Sequence, residues 1–536
     1  MSSPATDVVT DVDVIVVGAG ISGIYTLHRL RAEGLTVRVL EAGSGVGGTW
    51  YWNRYPGCRF DLESYSYGYF FPEIVAEWTW SEEYAAQPET ERYLNFVVDR
   101  LGLRDGFQFD TRVKSMTFDD ATGTWVTVTE AGESFRSRYV VTAVGILSAP
   151  IYPRVPGIED FAGESYHTAL WPSEKVELAG KRVAVVGTGS SGIQVVQTIA
   201  PEVDSMVVFQ RTPNWATPLN NRPISPEKAE ELRRNADQLH QDIMSSPGGT
   251  QYRARTDRAV DASEELRQQV FEELYAGSGM SMVFANFNDV SRTPEGNALI
   301  NEFLATKIRE RVKDPQVAER LIPTDHGFTQ KRPPLEIDYY EAYNQDNVTL
   351  VSTGEEPMLR VTEKGIETSE GLYEVDVIIW ATGFDSITGS FTRMDITGVS
   401  GQKLTEHWEG GPRTFLGIST SGFPNFFMVG GPQSTTGNIP RYAELQADWV
   451  ARCIKHMREN DYTRAVSSAE AEDKWSEFAY STIQGTLQES ANSWAWGTNV
   501  PGKKRVYLIY GGGLPRYQAE LEAVASSDFK GVEFSA

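Results

Sequence analysis

The chain has 536 residues, of which 40% are hydrophobic and 23% are charged. These values are typical of a folded protein, exclude a collagen-like or largely disordered chain, and suggest about three structural units. The 49 basic and 73 acidic residues give a formal net charge of −24, so we expect neither nucleic acid nor an anionic membrane as a partner.

Cysteine usage and the N-terminus indicate the cellular compartment. Two cysteines, Cys58 and Cys453, cannot build a disulfide scaffold or a four-cysteine zinc site, and we expect no metal site. The start of the chain, MSSPATDVVTDVD, lacks the basic residues and the apolar stretch of a signal peptide. No apolar run reaches the ~18 residues of a membrane span. We therefore expect a soluble, cytoplasmic protein.

The first motif is a strand, a glycine-rich turn and a helix near the N-terminus. Apolar runs over 12–17 and 35–40 predict two buried strands on either side of the helix. The turn carries Gly18, Gly20 and Gly23. Such glycines allow a tight turn, close approach to a pyrophosphate, and packing of the helix on the strand. Glu41, at the end of the second strand, suits the ribose hydroxyls of FAD; the alternative is a glycine turn without a ligand.

A second copy of this unit follows in the middle of the chain. Strands are predicted over 181–186 and 206–209, with a helix between them. The glycine-rich turn carries Gly187, Gly189, Ser190 and Gly192. Arg211, followed by Thr212, stands where the first unit has its acid, and a cation there suits the 2′-phosphate of NADP. The alternative for Arg211 is a solvated surface charge.

Two dinucleotide sites with different closing residues indicate a flavoprotein that binds FAD at the first site and NADP(H) at the second. We therefore predict an α/β fold with two Rossmann-like dinucleotide-binding domains and a helical insertion. Strands followed by small residues at 139–145 and 377–383 are typical of the crossings between such domains. A disulfide reductase needs two cysteines close in sequence, which Cys58 and Cys453 are not. Enzymes whose reduced flavin meets oxygen or another acceptor remain.

Two longer motifs narrow the class further. Residues 161–172, FAGESYHTALWP, match the pattern FxGxxxHxxxWP, and residues 48–61 match GTW-x4-YPG-x3-D. On these motifs, and over essentially its whole length, the chain resembles the type I Baeyer–Villiger monooxygenases. Trp171 favours this branch, because the related N- and S-oxidising flavin monooxygenases typically have tyrosine there. Ser173 and Cys58 depart from the acid and the alanine that relatives often carry.

The resemblance implies roles for particular residues. Arg332 would lie over the flavin and stabilise the peroxide and its adduct with a ketone, and Asp61 would hold Arg332 in position. Lys331 would help Arg211 to bind the 2′-phosphate of NADPH. His167 would be structural and link the domains. Further cofactor-binding residues that it implies are Thr49, Trp50, Gln194, Thr212 and Trp494. Composition alone favours the alternative, in which Lys331 and Arg332 belong to a charged loop and Asp61 caps a helix or turn.

The resemblance also implies an activity and a domain organisation. The enzyme would convert a ketone to an ester or lactone with NADPH and O2 through a peroxyflavin. The alternatives are an N- or S-oxidising flavin monooxygenase, an uncoupled NADPH oxidase and a flavin redox sensor. We expect a monomer or weak oligomer. The expected segments are an FAD-binding domain (1–148 and 381–536), an NADP-binding domain (149–221 and 333–380), a helical insertion (222–332), a mobile loop near 490–504 and a ketone-site segment at 431–440.

Overall fold

The computed structural model describes residues 9–434 and 437–536. Its strands are β1 (Val9–Val17), β2 (Val37–Leu40), β3 (Phe107–Gln108), β4 (Val113–Asp119), β5 (Thr124–Thr129), β6 (Ser134–Thr142), β7 (Glu164–His167), β8 (Arg182–Val186), β9 (Ser205–Gln210), β10 (Thr217–Pro218), β11 (Leu335–Glu336), β12 (Val348–Ser352), β13 (Met358–Thr362), β14 (Gly365–Thr368), β15 (Leu372–Glu374), β16 (Val377–Trp380), β17 (Asp395–Thr397), β18 (Phe426–Met428), β19 (Arg464–Ser467) and β20 (Val532–Ser535).

The α-helices of the described residues are α1 (Ile21–Ala32), α2 (Thr49–Trp52), α3 (Ser64–Tyr67), α4 (Pro72–Glu77), α5 (Gln87–Arg100), α6 (Ser190–Ile199), α7 (Pro226–Arg234), α8 (Ala236–Met244), α9 (Glu264–Ala276), α10 (Ser281–Phe284), α11 (Pro294–Arg311), α12 (Pro315–Leu321), α13 (Tyr339–Ala342), α14 (Gly389–Thr392), α15 (Leu404–His407), α16 (Ile439–Glu459), α17 (Ala469–Ser481) and α18 (Leu514–Ala525). None of these helices has the length and apolarity that a membrane crossing requires.

The first sheet carries the N-terminal glycine turn. Its strands run in the order β17-β4-β5-β6-β1-β2-β3, and β18 pairs with the carboxyl end of β6. Strand β1 is parallel to β2 and β6, whereas β4, β5 and β6 are antiparallel neighbours. Val14, Ile15 and Val16 are fully buried, because a parallel strand covered on both faces needs apolar side chains throughout. The strand predicted over 12–17 is confirmed; the next begins later than predicted, at Val37.

The second sheet carries the other glycine turn. Its five strands, in the order β12-β9-β8-β16-β7, are all parallel. The strands predicted over 181–186 and 206–209 are confirmed as β8 and β9. Each glycine turn thus follows a buried parallel strand and precedes a helix, which confirms the predicted α/β fold with two Rossmann-like units. Each predicted domain boundary lies in a connection between described strands and cuts none of them. The division into domains stays a prediction.

A mainly helical segment, α7 to α12, lies between β10 and β11, which pair with each other. Ser225 and Ser263 cap α7 and α9, because each side chain accepts a hydrogen bond from the backbone N–H three residues later. Arg311, at the end of α11, forms ion pairs of 2.6 Å with Glu336 and 2.7 Å with Glu341. These pairs fix the helical segment to the chain that returns toward the second sheet.

Candidate active site and cofactor sites

The first glycine turn is built by close backbone contacts. Gly18 has a φ of +104°, and a Cβ there would lie 2.6 Å from the carbonyl oxygen of Ala143. A Cβ at Gly23 would clash with the Gly18 carbonyl group. Gly20 precedes α1 and offers no side-chain cap, so the N–H groups of the first helical turn are available to a ligand. The turn therefore fits the pyrophosphate of a dinucleotide.

Glu41 follows β2 directly and is only 5% exposed. One carboxylate oxygen accepts a hydrogen bond of 2.7 Å from the Ala19 N–H, and the other accepts one of 2.7 Å from the Gly43 N–H. Burial raises the pKa of Glu41, although these backbone hydrogen bonds oppose the rise. Each oxygen keeps a second lone pair, so the carboxylate that braces the glycine turn can also accept a ribose hydroxyl, as predicted for FAD.

The second glycine turn repeats this construction. Gly187 has a φ of +108°, and a Cβ there would lie 2.5 Å from the carbonyl oxygen of Ala381. Ala381 follows β16 as Ala143 follows β6, so equivalent small residues support both turns. A Cβ at Gly189 would meet no atom within 4 Å, so the turn faces open space ahead of Ser190, the first residue of α6. This space fits a second pyrophosphate.

The cations predicted for the 2′-phosphate differ in their surroundings. Arg211 is exposed, and its side chain makes no ion pair within residues 9–434 and 437–536. Lys331 is instead paired with Asp325, with Nζ 3.0 Å from a carboxylate oxygen. Thr212 contributes its carbonyl oxygen, which accepts a hydrogen bond of 3.1 Å from the Thr188 hydroxyl. Of the two predicted cations, Arg211 alone therefore has no acidic partner among the residues described.

The GTW motif covers the first glycine turn. A Cβ at Gly48 would lie 2.7 Å from the Gly20 Cα, so two glycines allow the segments to touch. Thr49 is exposed at the start of α2. Trp50 is buried and donates a hydrogen bond of 3.0 Å from Nε1 to the Tyr67 hydroxyl. Its expected place near the cofactor stays a prediction, and its observed contacts are those of a packing residue.

The YPG motif contacts the helix of the other dinucleotide unit. The Tyr55 hydroxyl donates a hydrogen bond of 2.8 Å to the Gln194 side-chain carbonyl, and Gln194 Nε2 donates one of 3.0 Å to the Arg59 carbonyl. A Cβ at Gly57 would lie 2.5 Å from the Gln194 backbone oxygen. Gln194, predicted to lie near the nicotinamide, therefore also joins the two units.

Arg332 and Asp61 meet although 271 positions separate them in sequence. Arg332 Nη2 lies 2.5 Å from Asp61 Oδ1, and the two side chains are 42% and 16% exposed. Burial opposes the positive charge, but the Asp61 carboxylate outweighs it and raises the pKa of Arg332. Arginine is always protonated in any case. Asp61 thus holds the Arg332 guanidinium in place, and the remaining N–H groups of the guanidinium make no other hydrogen bond among the described residues.

His167, in the FxGxxxHxxxWP motif, lies at a crossing between the units and is 1% exposed. Its Nδ1 accepts a hydrogen bond of 3.0 Å from the Ala169 N–H, and its Nε2 lies 3.2 Å from the Ile151 carbonyl oxygen. Burial lowers the pKa of His167, so the ring is neutral and Nε2–H donates to Ile151. These contacts are structural ones.

The segment near 490–504 is packed against the rest of the protein. Asn499 donates a hydrogen bond of 2.7 Å to the Phe384 carbonyl oxygen, and Lys503 lies 2.5 Å from Asp385. Trp494 is half-buried, whereas Trp496 is 4% exposed and has the Arg505 guanidinium 3.7 Å from its ring centre. The predicted role of Trp494 over NADPH stays a prediction.

Sequence reasoning missed a buried carboxylate next to the catalytic candidates. Glu63 is 1% exposed, and its Oε1 accepts hydrogen bonds of 3.1 Å from both the Tyr84 hydroxyl and the Gln251 amide. The Tyr252 hydroxyl donates to the same oxygen. Glu63 lies two residues after Asp61, but only the fold brings the partners from the helical segment to it. The cluster joins this segment to the 48–61 motif.

Other predictions concern the ketone site, metals and thiols. Of the segment 431–440, residues 435 and 436 lie outside the described residues. Within the described ones, Asn438 donates hydrogen bonds to the carbonyl oxygens of Ser66 (2.9 Å) and Gly249 (2.8 Å). No group of three His, Cys, Asp or Glu residues suited to a metal occurs in the described part. Cys58 and Cys453 are buried and unpaired, and burial raises the pKa of Cys58 to about 12.

Comparison with known proteins identifies the family. Residues 15–265 match the pyridine nucleotide-disulphide oxidoreductase family. A 2-oxo-Δ3-4,5,5-trimethylcyclopentenylacetyl-CoA monooxygenase of Pseudomonas putida is 42% identical over 535 residues, 98% of each chain. A phenazine N-monooxygenase of Lysobacter antibioticus is 40% identical, over 97% of each chain. A Baeyer–Villiger monooxygenase of Pseudooceanicola batsensis is 38% identical, over 97% of this chain and 95% of the relative.

A solved structure agrees with these relatives. The crystal structure of OTEMO in complex with FAD and NADP is 42% identical in sequence and superposes with a TM-score of 0.95. The alignment covers 98% of this chain and 99% of the OTEMO chain. The disulphide reductases share the two-unit architecture, but neither cysteine here has a partner. The chain has two glycine turns and the two longer motifs at 48–61 and 161–172, and its relatives match it over nearly the whole length. It belongs to the Baeyer–Villiger monooxygenases.

Proposed function

We propose that this protein is an FAD- and NADPH-dependent monooxygenase that inserts one oxygen atom of O2 beside the carbonyl carbon of a ketone, giving an ester or lactone. The observation that carries the proposal is the Arg332–Asp61 pair. Baeyer–Villiger chemistry places negative charge on the oxygens of the oxidant and of the tetrahedral adduct, and FAD supplies the oxygen-activating chemistry when bound. A fixed cation beside that charge is what the reaction requires of the protein.

The residues of this chain perform binding, orientation and charge stabilisation. The first glycine turn and Glu41 would hold FAD, and the second glycine turn with Arg211 and Lys331 would hold NADPH. Arg332 offers five N–H donors in a plane, of which the Asp61 contact uses one. The other donors would orient the ketone oxygen and stabilise its developing charge. Asp61 would fix the guanidinium in that plane.

The packed segment 490–504 would exclude water from the nicotinamide side of the site. Its contacts with Phe384 and Asp385 place it beside the turn that follows β16 and Ala381, and Ala381 supports the second glycine turn. Water exclusion favours productive oxygen transfer over release of hydrogen peroxide. Trp494 would lie at this boundary.

The test is substitution of Arg332. Arg332→Ala should lower the rate of ester formation by about 100-fold or more, while anaerobic reduction of the bound flavin by NADPH stays measurable. Arg332→Lys should restore little activity, since a point charge does not reproduce the planar donors. Arg360→Ala is the matched control, because Arg360 pairs with Glu367 on an exposed hairpin. Near-normal ester yield from Arg332→Ala would overturn the role.

A second candidate, oxidation of a ring nitrogen or a sulfide, is favoured by the 40% identical phenazine N-monooxygenase. A competition assay with a cyclic ketone, a phenazine and an aryl sulfide, analysed by mass spectrometry, separates these activities. Ester or lactone as the main product supports the first proposal, and N-oxide as the main product supports the second. NADPH consumption that yields only hydrogen peroxide would instead indicate an oxidase or a redox sensor.

The proposal extends to the oligomeric state of the protein and to its cellular compartment. Its net charge of −24 favours mutual repulsion between copies, which supports a monomer or weak oligomer. The two free cysteines fit the reducing conditions of the cytoplasm. Size-exclusion chromatography with light scattering at several protein concentrations tests the oligomeric state, and cell fractionation tests the location.

A further inference from the structure

Residues 320–331 lie against the end of β9, the strand that precedes Arg211. Gln210 Nε2 donates a hydrogen bond of 2.7 Å to the Arg320 carbonyl oxygen. Trp215 Nε1 donates one of 3.0 Å to the His326 carbonyl oxygen. These contacts bring Arg320 and His326 to the chain on both sides of Arg211, so Asp325, next to His326, and its partner Lys331 belong to the surroundings of the proposed 2′-phosphate site.

Asp325 is bound on both oxygens. Lys331 Nζ lies 3.0 Å from one of them, and His326 Nδ1 lies 2.6 Å from the other. The His326 side chain is only 4% exposed, and its Nε2 is buried without a hydrogen-bond partner among the described residues. Burial lowers the pKa of His326, so the neutral ring donates Nδ1–H to Asp325. This contact holds the carboxylate toward Lys331.

We infer that Asp325 determines how strongly the second dinucleotide site prefers a 2′-phosphate to a 2′-hydroxyl. This inference rests on the proposed use of NADPH. Lys331 binds either the Asp325 carboxylate or the incoming phosphate, and the two anions repel each other when both are present. A dinucleotide with a 2′-hydroxyl leaves the Asp325–Lys331 pair intact, whereas one with a 2′-phosphate must displace it. Asp325 therefore reduces the preference that Arg211 and Lys331 create.

The expected effect follows from the exposure of the pair. The side chains of Lys331 and Asp325 are 21% and 52% exposed, so water and salt screen the interaction. We expect Asp325→Asn to strengthen binding of a 2′-phosphate by about 3- to 10-fold at low salt, and less at high salt. Asparagine keeps the hydrogen bond with His326, so the local structure is retained.

The experiment measures binding to the FAD-loaded enzyme by calorimetry. The probes are adenosine 2′,5′-bisphosphate and adenosine 5′-monophosphate, which differ only in the 2′-phosphate. Asp325→Asn should strengthen binding of the bisphosphate alone, and this gain should vanish in a Lys331→Met background. Asp257→Asn is the control, because it removes the same charge from an Arg255 pair of 2.7 Å elsewhere on the helical segment.

A gain for the bisphosphate that depends on Lys331 supports the inference. Unchanged or weaker binding in Asp325→Asn overturns it, because Asp325 would then merely position Lys331, and so does an equal gain in Asp257→Asn. If the wild-type enzyme and Asp325→Asn both bind the two probes equally, no group recognises the 2′-phosphate, so the proposed use of NADPH fails and the inference fails with it. Flavin absorbance and the melting temperature confirm that each variant is folded.

Discussion

Lys503 forms an ion pair with Asp385 that helps to hold the segment 490–504 against the turn after β16. Its Nζ lies 2.5 Å from Asp385 Oδ1, and the two side chains are only 19% and 22% exposed. The Asn499–Phe384 hydrogen bond and the buried Trp496 also fix the segment. Lys503→Met removes the charge while keeping most of the side-chain length, so it tests the ion pair rather than packing.

The magnitude follows from the burial of the pair. A hydrogen bond to a charged group contributes about 1.5–3 kcal/mol when it is buried. Because both groups here are partly solvated, we expect local opening to become easier by about 1–2 kcal/mol, a 5- to 30-fold increase in the open population. The segment should still dock in most molecules, since its other contacts remain. A larger fraction of the NADPH consumed should yield hydrogen peroxide.

Hydrogen exchange followed by mass spectrometry measures the opening directly. The reporter amide is Leu508, whose N–H donates a hydrogen bond of 2.8 Å to Ala495 across the segment. Lys504→Met is the matched control, because Lys504 is the exposed neighbour and makes no ion pair among the described residues. Equal exchange in both variants and the wild type would refute the reasoning, as would faster exchange in Lys504→Met alone.

Three further predictions concern the junctions between units. Gly57→Ala should lower stability by about 1–3 kcal/mol, because φ is +80° and the new Cβ would press on Gln194; an unchanged urea midpoint would contradict this. His167 is neutral when folded and protonates when unfolded, so stability should fall as pH drops below the ordinary pKa of 6.5; His167→Gln should weaken this acid sensitivity, as measured by denaturation at pH 5 and 8. Arg311→Met should cost about 3–5 kcal/mol, because it leaves Glu336, 1% exposed, without its cation; thermal unfolding measures this loss, and an unshifted transition would argue against it.

Much of the fold could be predicted from local sequence patterns. The apolar runs before Gly18 and Gly187 predicted buried parallel strands, because a strand covered on both faces needs a continuous apolar run, and that run is visible in the local sequence. The glycine spacing predicted the two turns, since each needs a positive φ and close backbone contacts. The predicted second strand began two residues too early, because strand ends depend on pairing with neighbours.

Less of the candidate site than of the fold could be predicted from local sequence patterns. The pairing of Arg332 with Asp61 came from family resemblance and not from spacing, because contacts across 271 positions leave no local pattern. The place of Gln194 beside the nicotinamide stays a prediction from the resemblance, and its hydrogen bonds with Tyr55 and Arg59 could not be predicted from the sequence. Glu63 was missed, although it lies two residues after Asp61, because two of its partners, Gln251 and Tyr252, come from the distant helical segment.

The sequence alone predicted which residues close the two dinucleotide sites, Glu41 at one and Arg211 at the other. It also determined that the cysteines are too far apart in sequence for a disulfide reductase. Only the tertiary structure decided the electrostatic surroundings of Lys331 and Arg211, and for Arg332 it added the distance and the burial of the pair with Asp61 that the resemblance had implied. Lys331 is paired with Asp325, Arg332 with Asp61, and Arg211 with no acid in the described part of the chain. Charge interactions depend on the distance between the groups and on their burial, and the order of the residues alone does not determine either quantity.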